Sequence, residues 1–227
     1  MKRLLKILLC ASLIFNFQFS ILNPAQAQIT HNSQGRLDEN ATEVLGKAAK
    51  KLQSVKGKVS LTLLDSNKKQ TGKYTAEIAY WKGKYHLTTD GMEIWCDGTT
   101  VWQWNKDAKE IVINNMPPDS EIDLLNPGRL IENYAKNFRA KYIRTDDDGT
   151  AVIDLQPRSA QSYHKIRLFI NEETGVLKGM EVQKYDSSRE IYDFSKLKSV
   201  PIKGVFKFIP EEHPEAEVID MRCKYYS

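Results

Sequence analysis

GMEIWCDGTTVWQWNKDAKEIVI, residues 91–113, holds three of the chain's four tryptophans, Trp95, Trp102 and Trp104, around an Asp97-Gly98 turn. Trp102 and Trp104 stand two apart, so a strand projects both from one face, and Trp95 lies across the hairpin. Aromatic residues favour strands and bury large areas. The three rings are either packed core or the lining of an apolar cavity.

The same two-residue period runs outward on both sides. Upstream, Val59, Leu61 and Leu63 alternate with Lys58, Ser60 and Thr62, and Tyr74, Ala76, Ile78 and Tyr80 alternate with polar neighbours. Tyr85 and Leu87 follow a turn at Lys82 to Lys84. Downstream, alternation predicts strands at 140–144, 151–156, 163–170, 176–185, 189–197 and 205–209. Before the strands, ENATEVLGKAAKKLQSV carries Val44, Leu45, Ala48 and Leu52 at helical spacing, with Asn40 and Glu43 as a capping box, which predicts a helix over 41–55. The alternation breaks at NNMPPDSEIDLLNPGRLIENYAKNF, residues 114–138. There Ile122, Leu124 and Leu125 suit a short helix, and Pro127 opens a second with the stripe Leu130, Ile131, Tyr134 and Phe138. The expected architecture is mainly β: a long meander of about eleven antiparallel strands that curls, with the helical pair as a lid over its concave face, either a half-barrel or a closed barrel.

The first 27 residues are excluded from that fold. Lys2, Arg3 and Lys6 precede an apolar run that ends at Ala25-Gln26-Ala27, the pattern of a secretory signal peptide cut after Ala27. Cys10 follows Leu9, not the small residue of a lipidation site. Residues 28–227 are read as one exported domain. Without the three basic residues of the signal, 30 basic residues face 29 acidic ones, a balance that disfavours nucleic acid. The cysteines left, Cys96 and Cys223, have a spacing that decides neither a disulfide nor thiols.

Enzymatic motifs are absent: none of His31, His86, His164 and His213 sits in H-E-x-x-H, and no G-x-S-x-G or phosphate loop occurs. Asp146, Asp147 and Asp148 precede Gly149 and read as a solvated turn, not a cation site. No enzyme activity, metal or cofactor is expected.

Four segments in order resemble the LolA family of periplasmic outer-membrane lipoprotein carriers, in particular its shorter-loop Bacteroidetes type. ATEVLGKAAKKLQSVKGKVSLTLL resembles the opening helix and strand, and Gly72-Lys73-Tyr74 leading to YWKGKYHL the next hairpin. GMEIWCDGTTVWQWN resembles the aromatic Asp-Gly element, and FKFIPEEHPEAEVID the closing segment, with DLLNPGRLIENYAKNF as the lid. The resemblance implies an unclosed antiparallel β-barrel with a helical lid over an apolar cavity that holds lipoprotein acyl chains. It further implies transfer from an inner-membrane ABC-type complex through the periplasm to an outer-membrane acceptor by a monomer. The residues expected to line cavity and lid are Leu61, Leu63, Ile78, Tyr80, Tyr85, Leu87, Trp95, Trp102, Trp104, Ile122, Leu125, Leu130, Ile131, Tyr134 and Phe138. The lid is expected to contribute less core than the sheet. Alternatives are a carrier of other lipids or glycolipids, and a regulatory lipoprotein-sensing module similar to RseB. One departure stands: where well-studied members have an Arg-Pro pair tied to lid movement, this chain has Trp81-Lys82-Gly83-Lys84.

Overall fold

The computed structural model describes residues 38–116, 126–202, 204 and 206–222. The predicted signal segment, Ile122, Leu124, Leu125 and Cys223 lie outside the described residues. All described residues fall within one unit, Arg36–Ser227.

Helix α1 spans Glu39–Lys51 and is followed by six strands: β1 (Ser54–Leu64), β2 (Gln70–Trp81), β3 (Lys84–Thr88), β4 (Met92–Cys96), β5 (Thr100–Asn105) and β6 (Glu110–Asn115). Then come α2 (Pro127–Glu132) and the single turn α3 (Tyr134–Asn137). Strands β7 (Phe138–Thr145), β8 (Thr150–Pro157), β9 (Tyr163–Asn171), β10 (Leu177–Lys184) and β11 (Arg189–Ser199) follow, and β12 (Glu217–Asp220) is last.

Twelve strands make one sheet in the order β12-β6-β5-β4-β3-β2-β1-β11-β10-β9-β8-β7. Its edges, β12 and β7, do not pair with each other, so the barrel is unclosed, as expected. Every ladder is antiparallel except β12 on β6, which is parallel. Here the sequence reading needs correction. Residues 206–209, expected as a closing strand, are irregular with Phe206 and Phe208 buried, and the edge strand forms further on, at Glu217–Asp220. Alternation in FKFIP arises because a crossing segment also buries every second residue.

The order explains where the helices lie. The chain leaves β6 near one edge and enters β7 at the other, and residues 126–137 are the described part of that connection. They cross the face that carries Tyr80, for Gly128 sits against the Tyr80 ring, where a Cβ would come within 2.5 Å of the hydroxyl. Call this the inner face. Through β11, β10, β9 and β8 the same face presents Phe194, Met180, Leu168, Ile166, Ile153 and Leu155, each at most 2 % exposed. That half is the core. Helix α1 packs against α2 and β7, burying Ala41, Val44, Leu45 and Ala48. Gly175 (φ +73°) lets the β9–β10 turn touch the backbone of Lys47.

Two local expectations change. The cap of α1 is Asp38, not Asn40: its Oδ1 accepts from the Ala41 N–H at 3.0 Å, while Oδ2 accepts the Tyr142 N–H of β7 at 2.9 Å. One carboxylate thus starts the helix and satisfies an edge donor. The predicted stripe to Phe138 breaks at Asn133, and Phe138 opens β7. Asn126 and Pro127 behave as read: the Asn126 side chain accepts from the Arg129 N–H, with Pro127 in the first turn.

The outer face of β7–β11 is charged. Asp154 lies opposite Arg167, which donates to it at 2.7 and 3.0 Å, and Lys165 stands 3.1 Å away. Burial raises the Asp154 pKa, but the bonds from Arg167 and Lys165 outweigh it and hold the carboxyl below its ordinary value.

Asp38→Ala should cost about 1–2 kcal/mol in urea denaturation, the loss of an N-cap, with faster amide exchange at Tyr142. Because the Asp154 pKa is lowered on folding, its contribution is full above the unfolded carboxylate range and fades as pH falls through the folded value. Urea midpoints should therefore drop below about pH 4 in the parent and less steeply in Asp154→Asn.

Candidate functional site

Register assigns each expected cavity residue to a face. Val55, Tyr80 and Tyr85 follow one another across β1, β2 and β3, as do Gly57, Ile78 and Leu87. Leu61 and Leu63 lie opposite Tyr74 and Gly72. Leu61, Leu63, Ile78, Tyr80, Tyr85 and Leu87 therefore share the inner face, joined by Ile94 and Cys96 of β4. Two zones result. Ile78, Tyr80, Tyr85 and Ile94 are at most 5 % exposed, and Gly128 of the crossing segment seats on Tyr80. Val59, Leu61, Leu63, Tyr74, Leu87 and Met92, toward the far ends of the strands, are only half-buried. Val59, Tyr74 and Met92 were not singled out from the sequence, although Val59 and Tyr74 share the alternation of Leu61 and Ile78.

The helical pair is held closely. Leu130 is 6 % exposed and Ile131 1 %, as is Phe138 where β7 begins. Tyr134 is half-buried and donates to Thr42 Oγ1 at 3.1 Å, and Gln53 bonds Glu132. Asn126 donates to the Gly83 carbonyl at 3.4 Å, and the Gly83 N–H donates to the Tyr80 hydroxyl at 2.9 Å. The start of the insert is thus tied to the Lys82-Gly83 turn, where the family's arginine is missing.

One ionisable group interrupts the buried inner face. Glu190, opposite Leu63, is 9 % exposed. It accepts from the Tyr192 hydroxyl at 2.9 Å and faces Lys184 at 2.7 Å.

The tryptophans are elsewhere. Trp95 pairs with His86 and with Trp102, Trp102 with Ile113, and Trp104 with Ile111. These positions are one residue out of step with Tyr85, Leu87 and Ile94, so Trp95, Trp102 and Trp104 project from the outer face. There they form a cluster with Ile111, Ile113 and Phe208. His213 lies 5.1 Å from both Trp104 and Phe208, and His86 stacks on Trp95 at 5.2 Å while meeting Glu93 at 2.7 Å. Placing the three tryptophans in the cavity is corrected: they are packed beneath the segment that runs from β11 to β12. The cavity reading took the more apolar face of each strand as the inner one, and in MEIWC both faces are apolar.

Asp146 to Asp148 form a turn, with Asp148 bonded to Thr150 and Lys178, which hold its carboxyl down at about 2. Among the described residues no cluster suits a metal ion, and no helix is long and apolar enough to span a membrane. A groove of about 230 Å³ over Gly179 on the outer face, lined by Phe169, Ile191 and Asp193, is separate from the inner face.

An open sheet with helices set against one partly uncovered apolar face is the class of fold that these residues define. The chain belongs to the LolA family, outer membrane lipoprotein carrier proteins, whose profile matches residues 82–209. No curated protein matches the sequence. Among solved structures, the chain is similar to a LolA superfamily protein of Nitrosomonas europaea, at 13 % identity over 72 % of this chain and 94 % of that one, TM-score 0.40. It is similar to an uncharacterized conserved protein of Thermus thermophilus, at 11 % identity over 80 % and 99 %, TM-score 0.49. It is also similar to the MucA/MucB complex of Pseudomonas aeruginosa, at 12 % identity over 79 % and 63 %, TM-score 0.41. The family match carries the assignment.

Trp104→Ala should cost roughly 3–5 kcal/mol in urea denaturation, as for a packed aromatic. The protein that remains folded should take up a fluorescent fatty-acid probe as the parent does, since the ring faces away from the inner surface.

Proposed function

We propose that this protein is a periplasmic carrier that holds the acyl chains of lipoproteins against its inner face. The observation that supports this reading is the half-buried zone of Leu61, Leu63, Tyr74 and Leu87 on the helix-covered face of a LolA-family chain. Each methylene withdrawn from water contributes roughly 0.8 kcal/mol, so chains too apolar to cross an aqueous space alone can cross in such a sleeve. Release demands that the sleeve lack strong polar anchors, and Glu190 with Lys184 and Tyr192 is the one buried ionic spot on this face among the described residues. Residues 1–27 act as the export signal and 28–227 as the working domain. Cargo is taken from an inner-membrane ABC-type complex and passed to an outer-membrane acceptor.

Exchange requires the insert to move. Its polar ties include Asn126 to Gly83, Tyr134 to Thr42 and Glu132 to Gln53. The first of these holds the start of α2 at the Lys82-Gly83-Lys84 turn, which has neither Arg nor Pro. Leu130 and Ile131 complete the sleeve from the insert side.

Mass spectrometry of what co-purifies from the native periplasm tests the reading. Intact acylated lipoproteins are expected. Their loss in Leu63→Glu, with a urea midpoint near the parent's, places the chains on the half-buried zone. Free phospholipid or glycolipid alone would make it a general lipid carrier, and a protein partner with no lipid would make it a regulatory module.

A further inference from the structure

Three tryptophans are buried at 4–7 % exposure, but the fourth, Trp81, is 36 % exposed at the end of β2 on the outer face. Phe206 stacks on one side of it at 6.3 Å, and the ammonium groups of Lys82 and Lys84 lie 5.7 Å from its ring. Lys82 (φ 46°) and Gly83 (φ 82°) form a two-residue hairpin turn that fixes both lysines beside the ring.

The neighbouring outer surface is basic by register. Lys56 lies directly opposite Lys198, and Lys58 directly opposite Lys196, two successive like-charged pairs between β1 and β11. All four are exposed. Like charges facing each other across a ladder destabilise it. Nearby acids offset them in part: Glu77 reaches Lys58 at 3.8 Å with most of its side chain in solvent, and Asp193 acts on Lys196. The fold gains nothing from this arrangement; an anionic surface laid against it would.

We propose that this outer face, Trp81 with the Lys82–Lys84 turn and the paired lysines of β1 and β11, docks on an anionic phospholipid bilayer surface. The composition selects that partner. The six basic residues are all lysine, the residue depleted from protein interfaces, whereas bidentate recognition of a fixed partner uses arginine. A cluster of four to eight such charges suits a diffuse layer of anionic headgroups, and an amphipathic indole with one edge wet suits the headgroup boundary. Because Asn126 bonds Gly83, the docked turn is also where the helical insert begins. The inference does not depend on what the inner face carries, since docking uses the opposite surface.

Vesicle sedimentation of the purified protein tests it, with phosphatidylcholine alone against phosphatidylcholine holding about 30 % phosphatidylglycerol. Binding to the anionic vesicles only is expected, released between about 0.05 and 0.5 M salt. Each lysine removed in Lys196→Gln and Lys198→Gln should weaken it about fivefold. Trp81→Ser should abolish the blue shift of tryptophan fluorescence on binding. Lys198→Glu, opposite Lys56, should leave Tm unchanged or raised while weakening binding, which separates docking from folding. No binding, equal binding to both vesicles, or binding indifferent to these variants overturns the proposal. So does capture of polyglutamate by the same lysines while vesicles are ignored, which would make the surface a protein site.

Discussion

The pairing of β1 with β11 is the contact on which the rest of the structure depends. β1 bonds β2 on one side and β11 on the other, so two meanders that are distant in sequence share one strand. Once that seam is fixed, β6 and β7 stand toward opposite edges, and the chain between them has to span the sheet. The helical insert is therefore a connection before it is a lid. The same seam leaves β11 in the middle, so the last segment must also travel outward, along the other face, to reach β6.

Both faces of the β2–β6 half are consequently roofed, and both are apolar. The inner roof is helical and leaves Leu61, Leu63 and Leu87 partly uncovered; the outer roof is Phe206, Phe208 and His213 seated on tryptophans. The inner gap is where the proposed cargo would lie, whereas the outer cluster is closed upon itself.

Much of this was legible in the sequence. Alternation located β1 to β11, because their inward and outward positions differ in polarity. Asn126-Pro127 marked the start of α2, because a side-chain acceptor followed by proline has one local solution. The assignment of faces failed where polarity does not alternate: Trp95 in MEIWC has Ile94 and Cys96 as neighbours, and only register with His86 tells which way it points. The cap at Asp38 was missed because Asn40 with Glu43 offers the same local chemistry; what decides is the bond from Tyr142, far along the chain. The buried Glu190 reads as an ordinary polar residue until Tyr192 and Lys184 are seen around it.

The seam also sets the order in which this protein can fold. A chain that emerges N-terminus first presents β1 through β6 long before β11 exists, and in that interval one edge of β1 has no native partner. Contacts so far apart in sequence close slowly, and an unpaired edge beside apolar residues invites pairing with another chain. The parallel strand β12 can add only after β11 has docked and its connection has crossed the outer face. Completion of the sheet thus waits on β11 and β12, and a chain interrupted before β11 would be left as a half-sheet with its seam open.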